Sequence, residues 1–271
     1  MMRSLVIVLL ISIAAMPASK AGAEPEQTVE IETRPGIHVR ALLSTPRPAA
    51  GSVILLAGGD GHLRLTLSGE IGWGARNQLV RTRARYAAAG YATLVPDVAP
   101  DLIEGETFHK YRSSGAHSQD IGALIAYMRR LAQPVFLVGT SRAAISVLNA
   151  AVRNGAQADV GPDGLVITSG MLNDPDEPPN QLDRKSKLLA TIWQPTLLVV
   201  HEDDACPYTP AAEAFKFRSL LMAAQQVLVM KLNGGDPGDG DPCEANSHHG
   251  FLGQDEQVVS AVVQWLHTLN K

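Results

Sequence analysis

Six short, nearly continuous apolar runs govern what this chain can fold into: 53–57, 91–95, 135–138, 165–168, 196–200 and 227–230. A strand with one wet face alternates polar and apolar side chains. Runs without that alternation have both faces covered, as in parallel sheets clad with helices. Helical stretches separate the runs. Ile121, Leu124, Ile125, Met128 and Leu131 recur at intervals of three and four, as do Val258, Val262, Trp265 and Leu269; residues 77–89, 143–152 and 211–224 are further helical candidates. Strand alternating with helix predicts an α/β fold, a mostly parallel sheet with helices on both faces. Ahead of it, Thr28 to Arg34 and Ile37 to Ser44 flank the turn pair Pro35-Gly36 and predict an antiparallel hairpin. The 271 residues, 45% of them hydrophobic, are enough for a full core. No linker, repeat or shift in composition divides residues 28–271, so residues 24–271 read as one domain.

Residues 1–23 stand apart. Arg3 supplies a positive flank, Leu5 to Met16 is apolar except for Ser12, and Ala21-Gly22-Ala23 places small residues as a cleavage site requires. This is the pattern of a secretory signal peptide. The run is too short to span a bilayer, which takes about 20 apolar residues, and no later segment comes close. No Cys follows it as a lipid attachment site. The expectation is export to a periplasmic or extracellular space, with no membrane association after cleavage. Cleavage takes Arg3 and Lys20 out of the 23 basic residues, leaving 21 against 27 acidic ones. The whole chain has net charge −4 and a pI near 6.1, so no basic surface is available to hold nucleic acid.

Cys206 and Cys243 are the only cysteines. An even number in an oxidising compartment predicts a disulfide, the alternative being two separate buried thiols. Neither lies in a spacing that suggests zinc.

In parallel sheets the working residues gather where strands run out at their carboxyl ends. After Val138 come Gly139-Thr140-Ser141-Arg142-Ala143 and then a helix. A Ser at such a strand-to-helix turn, with small residues two positions to either side, has its hydroxyl held above the sheet as a nucleophile. Taken alone, Ser141 serves equally well as a helix cap. Past Val200 stands His201-Glu202-Asp203-Asp204-Ala205-Cys206, where an orienting carboxylate belongs; Asp204 is the choice and Asp203 the reserve. Ser247-His248-His249-Gly250-Phe251 precedes the final helix, with His249 taken as the base and His248 as the alternative.

Ser, Asp and His in this chain order on this alternation resemble the α/β-hydrolase family. Ala57-Gly58-Gly59-Asp60 falls where that family carries its oxyanion loop, with Ala57 in place of a frequent His. Gly90-Tyr91 through Pro96-Asp97 is similar to the G-Y-x-x-x-x-P-D segment of dienelactone-hydrolase-type members, and His249-Gly250-Phe251 followed by a helix is similar to their carboxyl end. The resemblance spans roughly residues 37–269. It implies a serine hydrolase acting on an ester, lactone, thioester or small amide, with Ser141 as nucleophile, His249 as base and Asp204 as its orienter. The backbone N–H groups of Arg142 and Gly59 would meet the oxyanion. This chemistry calls for neither metal nor organic cofactor, and the implied partner is a small acyl substrate; nothing in the sequence assigns an oligomeric state. The competing reading keeps the fold and discards the chemistry, with Ala143 and the absent oxyanion-loop His marking a binding protein.

Three further expectations concern the surroundings. Asp236, Asp239 and Asp241 offer a calcium seat or a solvated turn, their spacing failing the EF-hand pattern. Arg142 beside the pocket favours an acidic acyl group, points to solvent or ties down a loop. Residues 60–76 and 98–117, with Trp73, Phe108, Tyr111 and His117, are placed at the mouth, and the stretch between Thr168 and Thr196 leaves no room for a large lid.

Overall fold

The computed structural model describes residues 25–103, 110–172 and 187–269. The leader expected over residues 1–23 lies outside them. Gln27–Arg34 (β1) and Ile37–Ser44 (β2) pair antiparallel across Pro35-Gly36, where Gly36 takes a φ of 73° that a side chain would oppose. Strands and helices then alternate: β3 (Gly51–Leu56), α1 (Gln78–Ala88), β4 (Tyr91–Pro96), α2 (Gly115–Arg129), β5 (Val135–Thr140), α3 (Ala143–Asn154), β6 (Gly164–Thr168), β7 (Thr196–His201), α4 (Ala211–Phe217), β8 (Val227–Leu232) and α5 (Asp255–Leu269). One sheet holds all eight strands in the order β1-β2-β4-β3-β5-β6-β7-β8. β2 pairs antiparallel with β4 as well, and every later neighbour is parallel.

Alternation along the central strands divides the core into two layers. Ile54, Leu137, Ile167 and Leu198 pack with Ile121, Ile125 and Met128 of α2 and Val147 of α3. Their strand neighbours Val53, Val138, Val166 and Val199 pack with Leu79 and Tyr86 of α1 and Val262 and Leu266 of α5. Each fully buried aliphatic side chain contributes about 2 kcal/mol to holding the helices on the sheet. The periodicity of α2 and α5 is thus the imprint of the face each lays down. Asn77 caps α1 through its side chain, which accepts from Leu79 N at 3.2 Å, and Ser114 caps α2 in the same way at His117 N.

Two elements differ from their sequence expectations. β8 is an edge strand, so its pattern is not that of a strand covered on both faces: Leu228 and Lys231 are exposed and only Leu232 is buried. The helix expected over 211–224 stops at Phe217. A 3-10 turn at Arg218–Leu220 follows, after which Leu221 turns into the core. Among the described residues no helix is long and apolar enough to cross a membrane.

Candidate active site

Three loops at the carboxyl ends of β3, β5 and β7 meet the loop that leads into α5. At the end of β5, Ser141 adopts the left-handed backbone conformation, φ 55°, which a non-glycine residue takes at an energetic cost. Hydrogen bonds on both sides hold it there. Ser141 N donates to Thr168 O at 2.9 Å, and Ser141 O accepts from Met171 N at 3.0 Å and Ala144 N at 3.1 Å. Small neighbours are a steric requirement of the turn, since a Cβ on Gly139 would lie 2.6 Å from Val147 Cγ2. At the other flank Ala143 is fully buried, so its methyl group is accommodated. The N-cap of α3 falls on Arg142, one residue beyond Ser141, and no side chain caps the helix there.

Asp204 Oδ2 lies 3.0 Å from His249 Nδ1, and the two side chains are 1% and 5% exposed. A carboxylate facing Nδ1 makes that nitrogen the protonated one and leaves Nε2 with its lone pair. The other carboxylate oxygen accepts from Cys206 N at 3.0 Å. Thr209 supplies a third contact: its hydroxyl donates to Asp204 Oδ2 at 3.0 Å and also lies 3.0 Å from His249 Nδ1. The reserve candidates are occupied elsewhere. Asp203 is exposed and its amide donates to His201 Nδ1, while His248 stacks on His201 with ring centroids 4.2 Å apart.

The loop bearing His249 is tied down from several directions. Ser247 Oγ accepts from His249 N at 3.1 Å. Arg81 of α1 pairs with Asp255 and donates to Ala245 O at 3.2 Å and Gly250 O at 2.6 Å. Gly250 must be glycine, because a Cβ there would fall 2.1 Å from Ala245 O. Cys206 and Cys243 form a disulfide that joins this loop to the one carrying Asp204.

Ser141, Arg142, His249, Gly59, Trp73, Tyr208 and the disulfide line one cleft of about 550 Å³. Gly58 lies against Ser141, where a Cβ would be 3.0 Å from Ser141 Cβ, and Gly59, at φ 59°, leaves room for Trp73. Asp97, the acid of the G-Y-x-x-x-x-P-D segment, accepts from the amides of Leu63, Leu65 and Val98 and so fixes the chain beyond this glycine pair. Trp73 stands at the mouth as expected. Tyr111 and His117 do not: both are buried beneath the loop, His117 Nε2 being 2.9 Å from Ser146 Oγ. Phe108 and most of the stretch between Thr168 and Thr196 fall outside the described residues.

His201, Asp203 and His248 are the one group of three potential metal ligands found close together among the described residues. Both nitrogens of His201 are engaged, Nδ1 by Asp203 N and Nε2 by Gly234 O at 2.8 Å, which leaves that ring nothing to offer a cation. In the acidic loop, Asp236 and Asp241 each turn one carboxylate oxygen onto a nearby amide, those of Gly238 and Cys243.

The strand order, the left-handed Ser after β5 and the acid and His after β7 and β8 define the α/β-hydrolase fold. Comparison with solved structures agrees. A dienelactone hydrolase from Anabaena variabilis superposes with a TM-score of 0.63 at 17% identity, over 90% of this chain and 97% of that one. A sugar hydrolase from Lactococcus lactis gives 0.61 at 14% identity, over 90% and 97%. An esterase from Pyrobaculum calidifontis gives 0.59 at 14% identity, over 90% and 85%. No protein-family model and no curated protein sequence matches the chain.

Proposed function

We propose that this chain is an exported serine hydrolase that cleaves small carboxylic esters, lactones or related acyl compounds through an acyl-enzyme. The observation that carries this reading is His249, backed by the buried Asp204, lining the same cleft as a strained, left-handed Ser141. Ser141 Oγ attacks the acyl carbon while His249 Nε2 takes its proton, and Asp204 stabilises the imidazolium that forms. His249 then delivers the proton to the departing alcohol, and water repeats the cycle on the acyl-enzyme. Backbone N–H groups of Arg142 and Gly59 receive the oxyanion; losing one such donor costs an enzyme of this kind about 3 kcal/mol of transition-state stabilisation. Trp73 and Tyr208 give the cleft apolar walls, and Arg142 places a cation at its rim. Residues 1–23 act as the export signal and 24–271 as the folded enzyme, with the disulfide suited to an oxidising space.

A fluorophosphonate probe tests the chemistry. Wild-type protein is expected to carry one adduct on Ser141, located by peptide mass spectrometry, with none on Ser141→Ala. A folded wild type that stays unlabelled and turns over no ester in a panel of acyl substrates would exclude the hydrolase in favour of a binding protein.

A further inference from the structure

Behind the glycine pair that faces the nucleophile lies a buried cation. Arg112 follows the first residue of a 3-10 turn just ahead of α2, and it is 5% exposed. Its guanidinium Nη2 donates to Ala57 O at 2.8 Å and to Gly59 O at 3.2 Å, while Nη1 donates to Ser146 Oγ at 2.9 Å. Tyr111, its neighbour, donates its hydroxyl to Asp60 O at 2.7 Å. Room for this approach comes from Gly61, where a Cβ would sit 2.5 Å from Arg112 Nη2 and 2.6 Å from the Tyr111 hydroxyl.

A trans peptide points its N–H opposite its carbonyl. Drawing the carbonyls of residues 57, 59 and 60 toward Arg112 and Tyr111 therefore turns the amides of those peptides the other way. The one peptide left between two clamped units is Gly58–Gly59, which carries the N–H assigned to the oxyanion, so its plane is set from both sides. Glycines would otherwise leave this backbone free. Charge matters as well as geometry. Among the described residues the hydrogen-bond partners of Arg112 are carbonyl and hydroxyl oxygens, with no carboxylate. Burial lowers its pKa from that of a free guanidinium, yet an arginine keeps its charge in a protein interior. A buried cation whose hydrogen bonds all go to dipoles, with the Asp60 carboxylate acting on it only at a distance, is costly to hold, and its field reaches far in a poorly polarisable medium.

We propose that Arg112 is a positioning residue for acyl transfer: it clamps and polarises the 57–60 backbone from behind, so that the loop meets the negative charge that develops on the substrate oxygen. The proposal rests on the hydrolase reading above. It places the effect of Arg112 in the transition state, since a neutral ester carbonyl gains far less than an oxyanion from the same donors.

Arg112→Lys gathers its donors on one nitrogen, so it lacks the planar fork that spans Ala57 O, Gly59 O and Ser146 Oγ, and at this depth it gives up its charge more readily than a guanidinium. It is compared with wild type for kcat, KM, Tm and inhibition by a trifluoromethyl ketone, which forms a tetrahedral adduct on the serine. The expected result is kcat lower by roughly 10- to 100-fold, KM within about threefold, and ketone affinity weakened in step with kcat/KM. A folded Arg112→Lys with kcat within about twofold of wild type would overturn the proposal, as would a loss carried by KM with ketone affinity unchanged. If that variant does not fold, Ser146→Ala decides. Removing this one acceptor is expected to lower kcat severalfold at unchanged KM, and wild-type kcat there would equally overturn it. Should Ser141→Ala leave the wild-type turnover intact, the hydrolase reading itself fails, an outcome separable from a failure of Arg112 alone.

Discussion

The hydroxyl of Thr209 lies 3.0 Å from His249 Nδ1, as close to that nitrogen as the carboxylate of Asp204. It donates its own proton to Asp204 Oδ2, so its lone pair is what faces the imidazole N–H. His249 is thereby held by two acceptors that are themselves bonded to each other. Thr209→Val preserves shape and removes this link. The expected effect is a fall of about tenfold in kcat/KM, the scale of one hydrogen bond to a charged group, with Thr209→Ser close to wild type. Steady-state hydrolysis of a chromogenic ester decides it; a fully active valine variant would mean the hydroxyl is idle.

Asp203 and Asp204 are adjacent in sequence and opposite in surroundings. Asp204→Asn is expected to lower kcat by roughly 10³- to 10⁴-fold, and Ser141→Ala or His249→Ala by at least as much, because the three act as a unit. Asp203→Asn is expected to stay near wild type. The reverse ranking of the two asparagine variants would move the orienting role to Asp203.

Cleaving the Cys206–Cys243 bond is expected to loosen the Asp204 loop and the His249 loop together. The bridge spans a sequence separation of 37, and closing such a loop restricts the unfolded chain by about 4 kcal/mol. The double variant Cys206→Ser with Cys243→Ser is expected to lose both melting temperature and activity, and reductant should do the same to the wild type. Thiol titration of denatured, unreduced protein should find no free thiol; two per chain would end this account.

Acid should destabilise the protein through His117. Burial, with the cations of Arg112 and Arg34 adding, holds its pKa down at about 3, whereas in the unfolded chain it returns to about 6.5. Between those values the unfolded state binds a proton that the folded state refuses. Stability from this group is therefore complete above about pH 6.5 and is lost as pH falls toward 3, by up to about 1.4 kcal/mol per pH unit. His117→Gln is expected to be less stable than wild type at pH 7 but flatter over the acid range. Denaturant midpoints from pH 7 to 4 test this, and parallel curves for the two proteins would assign the acid sensitivity elsewhere.

Much of this architecture is legible in the sequence because the central strands are covered on both faces, which writes them as apolar runs, and because each helix carries the period of its buried face. That Ser141, Asp204 and His249 stand at one end of the sheet is legible for a related reason: the first directly follows a strand, the second lies three residues past one, and the third precedes the last helix of the described residues. Thr209 and Arg112 are not, since their partners lie 40 and 55 residues away and nothing local distinguishes them. Arg112 gave a contrary signal, because a lone arginine in a polar loop reads as solvated. The edge position of β8 was hidden for a different reason: Val227 to Met230 is as apolar as the central runs, and only the assembled sheet shows that β8 ends the strand order among the described residues.

The grip of Arg81 on the loop of His249 has a consequence for the order in which the protein is made. Arg81 belongs to the first helix, while Asp255 opens the last, and the loop it holds lies just ahead of that last helix. The His249 loop is therefore held in full only when these two helices, from the front and back of the chain, have met on one face of the sheet. In a refolding experiment ester hydrolysis should return after far-ultraviolet circular dichroism has recovered, and Arg81→Ala should lengthen that delay. Turnover rising in step with the circular dichroism would show that the base finds its place without waiting for the end of the chain.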